Sequence, residues 1–256
     1  MISLIDTHCH LDMKPYAADF GGVLQRAAAV GVERIISIGI DLKSSQRAVA
    51  LSDEYPNIYA TVGIHPHGAN EIGEKDFEAL RSLAKHPKVV GYGEVGLDFV
   101  KKYAPEQVQL EQFTEQVLMA KELSLPLVIH DRDAHRQVMS ILQSHGPYAA
   151  GGVMHCFSGD LRLAKETLDL GFYVSIPGIV TFSNAAILQE VAVKLPLSSL
   201  LLETDGPYLA PVPKRGRRNE PSYLVYTAEK IAQLRGIGLD EVAMVTTANA
   251  CKLFRL

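Results

Sequence analysis

Leu127-Val128-Ile129-His130 decides the fold reading: an unbroken aliphatic run closed by a residue that can ionise. The run is too short for a helix and too uniformly apolar for a strand with one wet face. It reads as a strand of a parallel sheet covered on both sides. Its flanks agree. Upstream, Glu106–Leu123 places Val108, Phe113, Val117, Ala120 and Leu123 on roughly one helical face, with Glu111, Glu115 and Glu122 mostly elsewhere. Downstream, Ala134–Ser144 reads as a second helix.

The same cycle recurs along all 256 residues. Strands are expected near Leu4–His8, Arg34–Gly39, Tyr59–Gly63, Val89–Glu94, Leu127–His130, Gly152–His155, Tyr173–Ile176 and Leu200–Asp205. Between them Phe20–Val30, Ser44–Glu54, Lys75–Lys85, Leu161–Leu170 and Ala185–Lys194 read as helices, and Ser222–Arg235 and Leu239–Ala248 follow the last strand. Gly31, Gly146, Gly151 and Gly171 punctuate helix ends or strand starts. Eight β-then-α units in a chain of this length predict an α/β protein, a single (β/α)8 TIM barrel forming one domain over residues 1–256. An open doubly wound sheet is the alternative, but no glycine-rich phosphate fingerprint accompanies it.

Composition narrows the function. With 47% hydrophobic residues the chain can bury a substantial core, and a formal net charge of -4 excludes a broad basic field for holding nucleic acid. Any attraction for phosphate must therefore be local. Cys9, Cys156 and Cys251 are odd in number and far apart, so no disulfide framework is expected and a reducing compartment fits. No signal-like segment opens the sequence, and no apolar run approaches the ~18 to 20 residues that span a bilayer. A cytoplasmic monomer without membrane contact is the expectation.

The ionisable residues fall at strand ends: His8 and His10 after the first strand, Glu94 after the fourth, His130 after the fifth, His155 after the sixth and Asp205 after the eighth. In a barrel all these ends open on one rim, where active sites of this architecture sit. Residues two apart share a face of a strand, so His8 and His10 point together, as do Glu203 and Asp205, while Cys9 and Cys156 turn away. Alone, each has an ordinary structural explanation: a buried, hydrogen-bonded histidine, or a glutamate capping the Gly-Glu-Val-Gly turn. Together, unpaired, they would cost ~1 to 3 kcal/mol per unsatisfied polar group and more per charge. A divalent cation removes that cost by binding carboxylates and neutral imidazoles at once. Four histidines and two carboxylates exceed the three protein ligands of a mononuclear catalytic zinc site, so two cations are expected, with Glu94 able to bridge them.

The motifs Asp6-Thr-His8-Cys-His10-Leu-Asp12, Gly63-Ile-His65-Pro-His67, Gly93-Glu94-Val-Gly-Leu-Asp98, Ile129-His130-Asp-Arg132, His155-Cys-Phe-Ser-Gly159 and Glu203-Thr-Asp205-Gly-Pro-Tyr-Leu209 occur in this order. Together with Ala248-Asn-Ala-x-x-Leu-Phe254 they closely resemble the TatD family of metal-dependent deoxyribonucleases, which belongs to the amidohydrolase-like barrels. The resemblance implies one cation on His8, His10, Glu94 and Asp205 and a second on Glu94, His130 and His155, as Mg, Mn or Zn. It further implies hydrolysis of DNA phosphodiesters, often trimming from a 3′ end of single-stranded DNA. In that scheme Asp205 accepts or orients the proton of the attacking water, His65 donates to a phosphate oxygen, and Glu203 positions water or a ligand. Arg132 and the cluster Lys214-Arg215-Gly-Arg217-Arg218 are expected to guide phosphate.

Two other functions fit the pattern less well. A binuclear amidohydrolase or deaminase acting on C–N or ester bonds would bridge its metals with a carboxylated lysine in many such barrels, where this chain has Glu94. A non-enzymatic nucleic-acid-binding protein with a relic site would be expected to have lost at least one ligand.

Overall fold

Eight parallel strands form one sheet in chain order in a computed structural model that describes residues 2–256. They are β1 (Leu4–Cys9), β2 (Val32–Ile38), β3 (Ile58–Val62), β4 (Val89–Asp98), β5 (Leu127–Arg132), β6 (Gly152–Met154), β7 (Phe172–Ile176) and β8 (Leu200–Leu202). The first and last strands meet at a short seam. Cys9 and Gly206 form a parallel bridge, Asp205 N donates to His8 O at 2.9 Å, and His10 N donates to Gly206 O at 2.8 Å. The sheet thus curls into the expected TIM barrel, nearly closed.

Helices cover its outside: α1 (Phe20–Ala29), α2 (Leu42–Glu54), α3 (Glu74–Leu83), α4 (Glu106–Leu123), α5 (His135–His145), α6 (Leu161–Asp169), α7 (Ala186–Lys194), α8 (Leu224–Arg235) and α9 (Leu239–Phe254). No helix among the described residues is long and apolar enough to cross a membrane. Helix α4 spans the predicted range and buries Phe113, Val117 and Ala120 as its pattern requires. It also buries two glutamines that the pattern did not single out. Gln116 exchanges both of its bonds with the Ile64 backbone at 2.8 and 2.9 Å, and Gln109 accepts from Asp98 N at 2.9 Å and donates to Asp98 O at 3.1 Å. These amides satisfy backbone groups of the loops after β3 and β4, so the helix layer holds the loops that carry His65 and Asp98.

Several element ends differ from the sequence reading, these for physical reasons. Helix α9 continues past Ala248 because Asn249 donates to Leu197 O and Leu200 O, and Leu253 and Phe254 bury against the sheet. Pro221–Tyr223 forms a separate 3₁₀ turn before α8 rather than its first turn. Strands β6 and β8 stop at Met154 and Leu202, so His155, Glu203 and Asp205 lie just beyond them. Cys156 and Asp205 there take left-handed backbone, with φ of 44° and 55°, and strand alternation no longer applies. Cys9 does turn away from the histidines, with its Sγ 3.7 Å from Tyr16 Oη. The Cys156 main chain meets the site, its N–H donating to Glu203 Oε1 at 2.6 Å. Burial first, then the charges of Asp205, Glu203 and Glu94, push its thiol well above the ordinary range.

Candidate metal centre

Glu94 sits on β4 between two glycines whose backbones allow no side chain. Gly93 and Gly96 have φ of +152° and +149°, and a Cβ there would lie 2.4 Å from Val128 O or 1.9 Å from His130 O. The absence of side chains lets β4 press against β5, which brings Glu94 to His130.

The carboxylate of Glu94 faces two ways. Its Oε2 lies 3.4 Å from His8 Nε2 and 3.8 Å from His10 Nε2. Its Oε1 lies 2.7 Å from His130 Nδ1, 2.9 Å from His155 Nε2 and 3.5 Å from His65 Nε2. Asp205 Oδ1 completes the first side, 3.8 Å from His8 Nε2 and 3.4 Å from His10 Nε2. Ligands about 2.1 Å from an ion at tetrahedral angles stand about 3.4 Å from one another. The spacing of His8, His10, Glu94 and Asp205 is therefore that of a ligand cage. Donor atoms of His8, His10 and Glu94, of His8, His155 and Asp205, and of His65, Glu94 and His130 each lie within 4.8 Å of one another. The second of these trios places His155 close to both sides of Glu94, so the donors form one continuous cluster.

The third trio includes His65, which was expected to donate rather than to ligate. Its Nδ1 accepts from His67 N at 3.1 Å, which leaves the ring proton on Nε2, aimed at the cluster. Burial lowers the His65 pKa well below the ordinary histidine value, with the Glu94 charge opposing. Neutral His65 is thus a donor at this place.

Buried polar atoms without hydrogen-bond partners mark where a cation fits. They include both ring nitrogens of His8, His10 Nδ1, His130 Nε2, His155 Nδ1 and Glu203 Oε2. The rings of His8 and His155 stack at 3.7 Å with an interplanar angle of 10°, a packing that two imidazolium charges would oppose. Burial pushes the Glu94 carboxyl up, but the charge of His155 and bonds to His130 and His155 outweigh it and hold it well below the usual range. Asp205 is likewise held low: burial is overcome by its bond to His10 and the charges of His155 and His8. Ionised carboxylates among imidazoles with free nitrogens suit a divalent ion, which would satisfy both kinds of donor.

A support layer fixes these groups. Asp6 accepts from Thr204 N at 2.9 Å, Thr204 Oγ1 at 2.6 Å and His8 N at 3.3 Å, tying the end of β1 to the residue between Glu203 and Asp205. Desolvation raises the Asp6 carboxyl to about 7 against those bonds. Glu203 Oε1 accepts from Cys156 N at 2.6 Å and lies 3.4 Å from His155 Nδ1. Asp98 Oδ2 accepts from His67 Nε2 at 2.7 Å and lies 3.7 Å from His130 Nε2. Asp6, His67, Asp98, Thr204 and Asn219 were given no roles in the sequence reading. Alternation could have found two of them, since Asp6 precedes His8 by two residues and Asp98 follows Glu94 by four. Thr204 and Asn219, in loops, carried no such signal.

The basic cluster divides. Arg218 Nη2 lies 3.0 Å from Glu220 Oε2 and 3.3 Å from Asp19 Oδ2, its Nη1 donates to Pro15 O at 2.9 Å, and its guanidinium covers Tyr16. Arg218 thus ties the loop after β8 to the segment that leads into α1. Lys214 lies over the Tyr223 ring and Arg215 over Phe182, while Arg217 and Arg132 are exposed.

A barrel with this donor set buried at the C-terminal rim defines a metal-dependent hydrolase. The chain belongs to the TatD family: the family model described as TatD related DNase matches residues 5–255. An uncharacterized metal-dependent hydrolase of Bacillus subtilis (strain 168), YabD, is 45% identical over 253 residues, covering 99% of each chain. The 3'-5' ssDNA/RNA exonuclease TatD of Citrobacter rodentium is 38% identical over 256 residues, covering 98% of this chain and 97% of that protein. Among solved structures, the TatD homologue YJJV from Escherichia coli K12 superposes with a TM-score of 0.94 at 34% identity, covering 99% of this chain and 98% of that one.

Proposed function

We propose that this protein hydrolyses DNA phosphodiester bonds, trimming single strands from their 3′ ends at a centre of two divalent cations (Mg, Mn or Zn). The functional unit is the single barrel of residues 1–256, acting as a cytoplasmic monomer. The observation that carries the reading is the divided carboxylate of Glu94, with His8 and His10 at one oxygen and His130 and His155 at the other. Such a carboxylate suits a bridge, with Asp205 completing the first side. Bound cations supply a water of lowered pKa and neutralise charge on the attacking and leaving oxygens of a phosphodiester.

The protein groups act around that water. Asp205, ionised and at the rim, accepts its proton or orients it. His65, with its proton on Nε2, donates to a phosphate oxygen as negative charge builds there. Glu203, held through one oxygen by the Cys156 amide, offers the other to water or keeps His155 in place. Arg132, Lys214, Arg215 and Arg217 approach the phosphates from the surface. A relative at 38% identity that is named a 3'-5' ssDNA/RNA exonuclease supports the substrate class. Cysteines free of disulfides among the described residues accord with a reducing compartment.

Metal-stripped protein reloaded with Mg, Mn or Zn and given 3′-labelled single-stranded DNA tests the proposal, with Asp205→Asn alongside. Release of the label by the wild type alone, with the variant still folded, is the expected result. Turnover confined to a panel of small amides and esters would move the activity to C–N or ester bonds. Cation-loaded protein inert on every substrate would leave nucleic-acid binding without catalysis.

A further inference from the structure

A cleft with a volume of about 670 Å³ lies between α5 and α6, beside the donor cluster. Small-ligand sites occupy roughly 300–1,000 Å³. Ser158, Gly159 and Asp160, from the loop that follows His155, line the cleft between the two helices. A tighter crevice shares His135, Ser158, Gly159 and Leu163 with the cleft and is lined by His155 as well. Three residues of chain join His155 to Ser158, at most about 11 Å when extended.

The lining is two-sided. Met139 and Leu163 form an apolar floor, and Ile187 stands 61% exposed beside them, more than an aliphatic side chain of a packed helix needs to be. His135 and Arg136 form the polar wall. Asp131 Oδ2 holds His135 Nδ1 at 2.7 Å, which fixes the ring and leaves Nε2 open. The acids nearby are occupied: Asp160 caps α6 by accepting from Leu163 N at 2.9 Å, and Glu166 accepts from Arg162 Nε at 2.9 Å. Arg136 makes no ion pair among the described residues. An apolar floor beneath an unpaired guanidinium and an oriented imidazole suits a ligand with a flat apolar face and a phosphate.

We propose that this cleft binds the nucleotide on the 5′ side of the scissile bond, with its base against Met139 and Ile187 and its 5′-phosphate on Arg136 and His135. The inference rests on the phosphodiesterase reading above and adds where the retained strand lies. It predicts that affinity depends on a phosphate that takes no part in the reaction.

Steady-state cleavage of the dithymidylate TpT, its 5′-phosphorylated form pTpT and the trimer TpTpT tests it, using cation-loaded wild type, Arg136→Ala, His135→Ala and Lys85→Ala. Lys85 is exposed on the opposite end of the barrel and controls for the loss of one positive charge. Losing a charge-assisted hydrogen bond should raise KM for pTpT and TpTpT about tenfold in Arg136→Ala. TpT, which lacks that phosphate, should show a KM change of roughly twofold or less, and kcat should move little on any of the three. Lys85→Ala should match the wild type. Equal KM changes on TpT and pTpT, or none on either, with wild type cleaving all three, would overturn the cleft assignment alone. Wild type that cleaves no oligonucleotide would overturn the DNA reading and the cleft with it.

Discussion

Asn219 is fully buried and braces the segment that carries both loop carboxylates. Its Nδ2 donates to Thr204 O at 2.7 Å and Tyr208 O at 2.6 Å, and its Oδ1 accepts from Glu220 N at 2.9 Å. Thr204 stands between Glu203 and Asp205, so one amide anchors the backbone beneath them. Asn219→Ala removes three side-chain bonds and leaves three main-chain groups short of a partner. At about 1 kcal/mol per bond, with part of the roughly 1–3 kcal/mol cost of each unsatisfied group added, stability should fall by about 3–5 kcal/mol. At roughly 2–4 °C per kcal/mol for a chain of this size, the melting temperature should drop by about 6–20 °C. Because Asp205 loses its brace, affinity for Mn should also weaken by about 10- to 100-fold, the usual effect of removing a ligand's support. Calorimetric melting of the metal-free protein and titration with Mn read the two effects separately. A melting temperature within roughly 2 °C of wild type would refute the energetic argument. A destabilised variant with unchanged Mn affinity would show that Asp205 is positioned without Asn219.

Glu94→Gln replaces one of two acceptor oxygens by an NH₂ group, so elemental analysis of the reloaded variant should find at least one cation equivalent fewer than wild type; equal content would refute bridging. His65→Ala should lower kcat by about 10²–10³-fold, the usual loss for one donor to a developing oxyanion, while cation content stays at the wild-type level. A fall in content would instead make His65 a ligand. Gly96→Ala drives a Cβ into the His130 carbonyl at a φ of +149°, and its urea midpoint should fall by an amount worth about 3 kcal/mol or more. An unchanged midpoint would mean that β4 can back away from β5 freely. Acid stability should follow Glu220, where bonds from Arg26, Ser222 and Arg218 outweigh burial and hold the carboxyl below its ordinary value of 4.5. Its stabilisation is fully present above that value and is lost as pH falls through the lower folded-state value. Glu220→Gln should therefore be less stable than wild type at neutral pH and converge with it in acid; a constant gap at every pH would contradict the linkage.

The barrel was legible because each strand is a short aliphatic run ending in a chemical residue, as at Leu127–His130, and the eight runs recur at barrel spacing. The donor set was legible for the same reason: His8, Glu94 and His130 lie in the C-terminal halves of β1, β4 and β5, which the barrel brings together. Legibility failed where the chain leaves the strand. Strand alternation stops applying at Cys156 and Asp205, whose backbones are left-handed. The basic cluster was visible as a run of charge, but the pairing of Arg218 with Asp19 and Glu220 was not. The buried glutamines of α4 drew no notice, because side-chain bonds to loop backbones have no period in the sequence.

The seam between β1 and β8 also sets the order in which activity can appear. His8 and His10 emerge early in synthesis, but the carboxylate opposite them belongs to the same Asp205 whose amide closes the ring on His8 O. A nascent chain that stops short of that point can set Glu94 against His8 and His10 but lacks Asp205 and the amide that closes the ring. On the proposed reading, a prematurely ended translation product therefore lacks one carboxylate of the centre and should be inactive.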